Sequence, residues 1–371
     1  MLHQNAAVPR FEPFAGIRYA PAIDLDAVTA PPYDVMSLAE RDAFAAKHPA
    51  NAVTFDAPTA SGDPYGEAAR ILDSLLADGT LVIDAPSLYL YRMTNAGRHT
   101  TGVIGALGLE RPGEGDVLPH EHTTKKAKSD RLDLLRATHA NLSPIWGLSL
   151  AKGLAELCEP PAASTPDGRA TDDEGVVHEL WRIEDPARIA AIVERVESEP
   201  VVIADGHHRY ETCLAYREER GPEPGGYDLT MMFVVELTDD ELDVQPIHRL
   251  LHGAPVEKIA AQMAERLDRG DGITLVGPDR TWTFAPRADG PDLDTEQVAQ
   301  ALEGIAGLEI GYQHGDVAAI VAAGGADAAV IMRPVSVATI RDVANRRDRM
   351  PPKTTFFHPK PRTGFVLRSL D

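Results

Sequence analysis

Pro200-Val201-Val202-Ile203-Ala204-Asp205-Gly206-His207-His208-Arg209-Tyr210 is the stretch that decides how this chain is read. Four apolar residues in a row describe a short buried strand, and the periodicity after Tyr210 predicts a helix to about Glu219. Between them, Gly206 permits a left-handed backbone and close approach to a ligand. The start of the following helix presents unpaired N–H groups and a partial positive charge, which suit phosphate. Arg209 adds a planar fork of donors for phosphate or carboxylate. His207 and His208 can donate hydrogen bonds or move a proton near neutral pH. Asp205 stands at the strand end, where a catalytic or magnesium-binding carboxylate is expected. The plainer alternative is a turn with polar caps. The stretch is no Walker A loop and carries no dinucleotide fingerprint.

Outward from this turn, the pattern alternates strand and helix. Strands are expected at Leu88–Met93 and Thr101–Leu109 around the turn Asn95-Ala96-Gly97, then at Ile145–Leu150, Val176–Ile183 and Met231–Leu237. Helices are expected at Glu67–Ala77, from Asp185-Pro186 to about Glu197, and at Val256–Leu267. Leu118–Asn141 reads as a polar segment and Cys158–Gly175 as loop. The fold class is mixed α/β. The expected division is a core over residues 1–250, a smaller α/β unit over 251–345, and a C-terminal strand over 346–371 that returns to the core.

Further polar stretches are candidates for the site. Pro119-His-Glu-His-Thr-Thr-Lys-Lys-Ala-Lys-Ser-Asp-Arg131 concentrates cations in a chain short of them. Lys125, Lys128 and Arg131 can neutralise a polyphosphate. His120 and His122 with Glu121 could instead hold zinc, although the His-Glu-x-x-His spacing is absent; a solvated helix face is the third reading. Asn141-Leu-Ser143-Pro-Ile145 can turn the chain or bond a ligand. Gln245-Pro-Ile-His248-Arg249 and Met350-Pro-Pro-Lys353-Thr-Thr-Phe-Phe-His-Pro-Lys360 share that ambiguity.

The chain has 36 Lys and Arg against 57 Asp and Glu, a net charge of −21. Tracking a nucleic-acid backbone requires clustered positive charge, so nucleic acid is excluded as an expected partner. The two cysteines form neither a disulfide framework nor a metal motif. With no signal peptide and no membrane-length apolar run, a reducing cytoplasm is the expected setting. Self-association is left open.

Taken together and in order, several of these segments resemble one family, the bacterial and archaeal domain-of-unknown-function "ten-fifteen" family. They are Ala30-Pro-Pro-Tyr33-Asp34-Val35, His120-Glu121 through Asp130-Arg131, Asn141–Ile145, Ile203–Thr212, Pro246-x-His248-Arg249, and Met350-Pro-Pro-Lys353 through Pro359-Lys360 to Gly364. The Asp-Gly-His-His-Arg box is also similar to the phosphate-gripping box of the ParB/sulfiredoxin superfamily, which includes partition proteins, ATP-dependent sulfinic-acid reductases and free-serine kinases. The resemblance implies a ParB/sulfiredoxin-like nucleotide-binding core with additional α/β elements. His207 stands where sulfiredoxin chemistry needs cysteine, and no basic DNA-binding domain is apparent, so the kinase branch fits best.

The activity so implied is a phosphotransferase using ATP or ADP and Mg2+ on a small hydroxyl substrate such as free serine or phosphoserine. A phosphohydrolase and a non-catalytic nucleotide-binding regulator are the alternatives. Asp205, His207, Glu121 and Asp34 are the expected catalytic residues, with Asp205 also the metal ligand. Gly206, His208, Arg209, Lys125, Lys128 and Arg131 are expected to hold the nucleotide. Tyr33, Asn141, Ser143, His248, Arg249 and Lys353 are expected to face the substrate.

Overall fold

Runs buried over most of their length at Leu88–Asn95 and Arg98–Gly108 form a hairpin, closed by Ala96 (φ 48°) and Gly97 (φ 82°), both in the left-handed region that favours two-residue hairpin turns. In a computed structural model, which describes residues 9–121 and 128–371, this hairpin lies within a nine-stranded sheet. From one side the order is Val117–Pro119, Val201–Asp205, Ile145–Ser149, Leu229–Glu236, the hairpin strands Arg98–Gly108 and Leu88–Asn95, Val177–Ile183, and Gly168–Thr171. Phe11–Glu12 pairs beside the far end of Arg98–Gly108. Val201–Asp205 runs parallel to Val117–Pro119 and antiparallel to Ile145–Ser149.

Helices cover this sheet because their apolar residues recur at helical spacing. Pro186–Glu197 begins at Asp185, whose side chain caps Ala187 and Arg188, and has Pro186 in its first turn. It turns Ile189, Ile192, Val193 and Val196 onto the sheet. His207–Arg220 packs Tyr210, Cys213 and Tyr216 into the same core as Leu88, Leu90, Val103, Val201 and Ile203. Burying one such large side chain contributes about 1.5–3 kcal/mol.

A second, four-stranded sheet follows the order Leu81–Ile83, Gly16–Tyr19, Leu367–Ser369, Ala140–Asn141. The helix Pro64–Ala77 lays Ala68, Leu72 and Leu75 over its core with Tyr19, Phe55 and Leu367. Both sheets belong to one compact unit made of residues up to Pro119, Thr123–Leu242 and Pro359–Asp371.

The other unit comprises His120–His122 and Asp243–His358. Its five-stranded sheet has the order Thr281–Ala285, Asp268–Val276, Ala328–Ile331, His248–His252, Glu309–Gln313. A separate ribbon pairs Asp243–Pro246 with Thr355–His358. The expected unit boundaries at 250 and 345 thus compare with divisions at 242 and 358. Pro246 to Arg249 goes with the second unit because its neighbours are Thr355 and the strand Glu309–Gln313.

Three local differences have physical reasons. Leu38–Lys47 is a helix opened by a capping box, Ser37 with Glu40, in a Pro- and Asp-rich stretch for which no helix is expected above. Lys128–Thr138 is a helix within the expected polar segment, and it buries Leu134 and Leu135. Gly168–Thr171, expected as loop, is a strand because Val177–Ile183 gives it an antiparallel partner. No helix among the described residues is long and apolar enough to cross a membrane.

Candidate functional site

The strand Val201–Asp205 pairs regularly with Ile145–Ser149 through Ile203, then skips Ala204, so that Asp205 falls opposite Trp146. Such a bulge re-aims the next side chain. Gly206 follows with φ +87°, and a Cβ there would meet the Arg209 guanidinium at 3.1 Å. The glycine therefore serves two ends: it turns the chain into the helix His207–Arg220, and it lets Arg209 fold back against the turn.

Arg209 is almost wholly committed. One Nη1 donates to the Pro144 carbonyl at 2.6 Å and to Ser143 Oγ at 3.2 Å, and Nη2 donates to Asp205 Oδ2 at 2.8 Å. Its Nε and the Nδ1 of His208 are buried without a hydrogen-bond partner. The other oxygen of Asp205, Oδ1, receives the ammonium of Lys360. Asp205 is 21% exposed, Arg209 11% and Lys360 12%. Burial alone would raise the Asp205 carboxyl, but Lys360 and Arg209, with His207, hold it well below the usual carboxylate range. Burial works against the charge on Arg209 as well, and Asp34 and Asp205 outweigh it.

Beside this turn lies a cavity of about 50 Å³, room for roughly four water molecules. Arg131, Arg209, Tyr33, Asn141 and Ser143 line it, as do Asp56, Thr212, Cys213 and Thr230. The Arg131 guanidinium sits 4.0 Å from the centre of the Tyr33 ring, a cation–π contact. Its Nη1 donates to the Asp56 carbonyl at 2.7 Å and lies 3.4 Å from the Asp56 carboxylate. Burial pushes the Asp56 carboxyl upward against the pull of Arg131 and Arg209. Burial likewise pushes the Tyr33 phenol up to about 12.

The expected residues separate into groups. Asp34, Tyr33, Arg131, Asn141, Ser143 and the Asp205–Arg209 turn fall in the first unit. Within that group, Tyr33, Arg131, Asn141, Ser143 and Arg209 share the cavity, which Asp205, Gly206, His207 and His208 do not line. Asn141 has a structural use: its Oδ1 accepts from the Met231 N–H at 2.9 Å and from Arg368 at 3.3 Å. Lys125 lies outside the described residues, as does the side chain of Lys128.

Glu121, His248, Arg249 and Lys353 belong to the second unit. There the Glu121 carboxylate accepts the backbone N–H groups of Lys353, Thr354 and Thr355 at 3.0–3.1 Å and the Thr355 hydroxyl at 3.0 Å. Arg249 donates to the Ile247 and Lys353 carbonyls, and His248 Nδ1 accepts the Met332 N–H. Glu121 is thus clamped to a chain segment, a poor arrangement for the expected catalytic carboxylate. Among the described residues, no group of three or more His, Cys, Asp or Glu side chains is placed to hold a metal ion; His122, which the zinc reading joins with His120 and Glu121, lies outside them.

A family model described as "Protein of unknown function (DUF1015)" matches residues 11–309. The chain belongs to this family. No curated protein matches. Among solved structures, this DUF1015 chain is similar to a conserved hypothetical protein from Pyrococcus furiosus at 13% identity and TM-score 0.40, over 69% of this chain and 92% of that one. It is similar to a free serine kinase in complex with AMP at 13% identity and TM-score 0.40, over 69% and 88%. It is also similar to SbnI with a C-terminal truncation from Staphylococcus aureus at 13% identity and TM-score 0.42, over 71% and 85%.

Two residues of this candidate site were not assigned a role from the sequence. Lys360 carried a signal, since it stands in the quoted Pro359-Lys360 pair. Asp56 carried none: it closes a four-residue helix, Val53–Asp56, with no motif around it.

Proposed function

We propose that this chain is a nucleotide-dependent phosphotransferase acting on a small hydroxyl substrate of the free serine or phosphoserine class. The supporting observation is that two arginines, Arg131 and Arg209, share one small cavity with a buried carboxyl, Asp56, directly beside the glycine turn that opens the helix His207–Arg220. Phosphoryl transfer demands positioning and charge neutralisation more than covalent assistance. The cavity holds a few heavy atoms, which suits the hydroxyl substrate; the nucleotide phosphates fall to the turn, where Gly206 and the helix start offer backbone donors.

In this reading the substrate hydroxyl oxygen bonds to the terminal phosphorus as that phosphorus leaves the nucleotide oxygen. The hydroxyl proton passes to a carboxylate, and the nucleotide departs with the bonding electron pair. Asp56 suits the proton, because a carboxyl pushed upward by burial is a better base than one held low. Asp205 suits it poorly, and its two oxygens already face cationic side chains, which also disfavours magnesium there. Asp34, exposed beside Arg209, is the alternative carboxylate. The ParB/sulfiredoxin kinship and the serine specificity belong to this proposal and rest on the sequence resemblance.

The test incubates the purified chain with ATP or ADP, with and without L-serine, and follows nucleotide and phosphoserine. Phosphoserine formed in step with nucleotide loss is the expected result. Phosphate release from phosphoserine without nucleotide favours the hydrolase, and saturable nucleotide binding without turnover favours the regulator; either outcome overturns the transferase.

A further inference from the structure

We infer that Lys360 is a working cation of the site, its ammonium placed by Asp205 to meet a phosphoryl group at the Gly206 turn. This deepens the phosphotransferase reading and rests on it.

The argument begins with how the lysine is delivered. Pro359 and Pro361 flank it, which fixes φ on either side and restricts the residues before them. The segment just beyond is pinned at several points. The Arg362 N–H donates to the Tyr91 hydroxyl at 3.1 Å, and its guanidinium donates to Thr29 Oγ1 at 2.9 Å and to the Thr29 carbonyl at 2.6 Å. Thr363 exchanges two backbone hydrogen bonds with Ala30. Gly364, at φ +104°, passes so close that a Cβ would meet Ala52 Cβ at 3.2 Å. A long flexible side chain is therefore carried by a backbone with little freedom, which reduces the ordering entropy a bound ligand must offset.

The second part concerns charge. Asp205 divides its oxygens between Lys360 and Arg209, so one carboxylate orients two cations and leaves the trio with a net positive charge. The start of a 14-residue helix adds its partial positive charge at the same turn. Next to it, Arg209 Nε and His208 Nδ1 are buried without hydrogen-bond partners. Buried polar groups in that condition are expected to meet a ligand or water. Arg209 donates to Ser143, Pro144 and Asp205 in a fixed planar fork, and the Lys360 ammonium, whose donors rotate, is the more adaptable cation for a phosphoryl oxygen.

The segment also joins the two ends of the site. Thr363 Oγ1 lies 3.5 Å from Asp56 Oδ2 in the cavity, while Lys360, three residues earlier, lies on Asp205. In the transfer step, the electron pair retained by the departing nucleotide oxygen leaves negative charge on the phosphates, and Lys360 neutralises it.

The experiment compares wild type, Lys360→Met, Lys360→Gln and Lys360→Arg. ADP and inorganic pyrophosphate affinities are read by calorimetry, and kcat and KM are read for transfer to serine. Thermal melts without ligand check folding; Lys360→Gln keeps a hydrogen-bond donor for Asp205 and stands in if Lys360→Met does not fold. Pyrophosphate and ADP affinity should fall at least about tenfold in Lys360→Met and Lys360→Gln, with partial recovery in Lys360→Arg. Wild-type affinity in a folded neutral variant overturns the role of Lys360, even where transfer to serine proceeds. Weakened binding in the variants of a protein that transfers no phosphate supports Lys360 and instead sinks the transferase reading. A wild type that binds neither ADP nor pyrophosphate overturns both.

Discussion

Gly206 carries the chain from the strand Val201–Asp205 into the helix His207–Arg220 at φ +87°. Its left-handed backbone strains any side chain there, and a Cβ would stand 3.1 Å from the Arg209 guanidinium, so that Arg209 would have to give way by a few tenths of an ångström. Gly206→Ala should cost about 1–2 kcal/mol from the backbone alone, with more from displacing Arg209, and urea denaturation measures it. Unchanged stability would mean that the turn tolerates a side chain. Arg209 itself was expected to matter for ligand alone. Its bonds to Ser143, Pro144 and Asp205 assign it a structural load too, so Arg209→Ala should lose about 3 kcal/mol of stability as well as affinity; a variant with native melting behaviour would contradict this. Asp205 has a pH signature. Its carboxyl is held low by Lys360 and Arg209, so its ion pairs stabilise the fold above the ordinary carboxylate value and are lost as pH falls toward the depressed one. Melting temperatures should therefore drop more steeply below about pH 4 in wild type than in Asp205→Asn. Parallel acid limbs would remove Asp205 from that account. The Asp205–Arg209 turn was legible because everything it needs lies within five residues. The contact of Lys360 with that turn was not, because Asp205 is 155 residues away in sequence.

Among the elements, legibility followed the strength of the local signal. Pro186–Glu197 announces itself through Asp185-Pro186 and four apolar residues on one face, and the hairpin through Asn95-Ala96-Gly97. The helix Leu38–Lys47 carried an equally good signal, Ser37-Leu-Ala-Glu40, that surrounding prolines and aspartates obscured. Both reciprocal bonds of that capping box are formed, so Ser37→Ala should destabilise the protein by about 1 kcal/mol, read as a shifted denaturation midpoint. No shift would show that the helix is held by Phe44 packing alone. Lys128–Thr138 was hidden for a different reason: Leu132, Leu134 and Leu135 fall together in the middle of a helix whose other positions are mostly polar, too few to show a helical period. The strand Gly168–Thr171 had no pattern of its own and exists because Val177–Ile183 pairs with it.

At the scale of the whole molecule, alternating strand and helix signals pointed to the mixed α/β class and composition set the charge, while strand order was beyond sequence reading. No local feature could show that the strand after Gly364 would insert between Gly16–Tyr19 and Ala140–Asn141, since that placement depends on partners hundreds of residues away. The same limit explains the scattered motifs. Ala30-Pro-Pro-Tyr33 and Pro359 to Gly364 are hydrogen-bonded neighbours in one unit, while Glu121, Arg249 and Lys353 interlock in the other. The net charge of −21 bears on partners. In a gel-shift assay the protein should leave duplex DNA unretarded at physiological salt, and tight, salt-sensitive retardation would contradict the reading of its surface.

The late insertion of Leu367–Ser369 sets an order for biosynthesis. A ribosome makes Gly16–Tyr19 and Ala140–Asn141 early, but the strand that lies between them emerges only after residues 243–358 have been translated. Until then the nascent first unit carries an open slot with unpaired backbone on both sides, the kind of edge that recruits chaperones or foreign strands. Lys360 arrives in the same late stretch, so Asp205 gains its ammonium partner only after residues 243–358 have been made, whereas Arg209 is at hand from the start. The Lys360–Asp205 contact and the last strand of the four-stranded sheet both await the segment that follows residue 358.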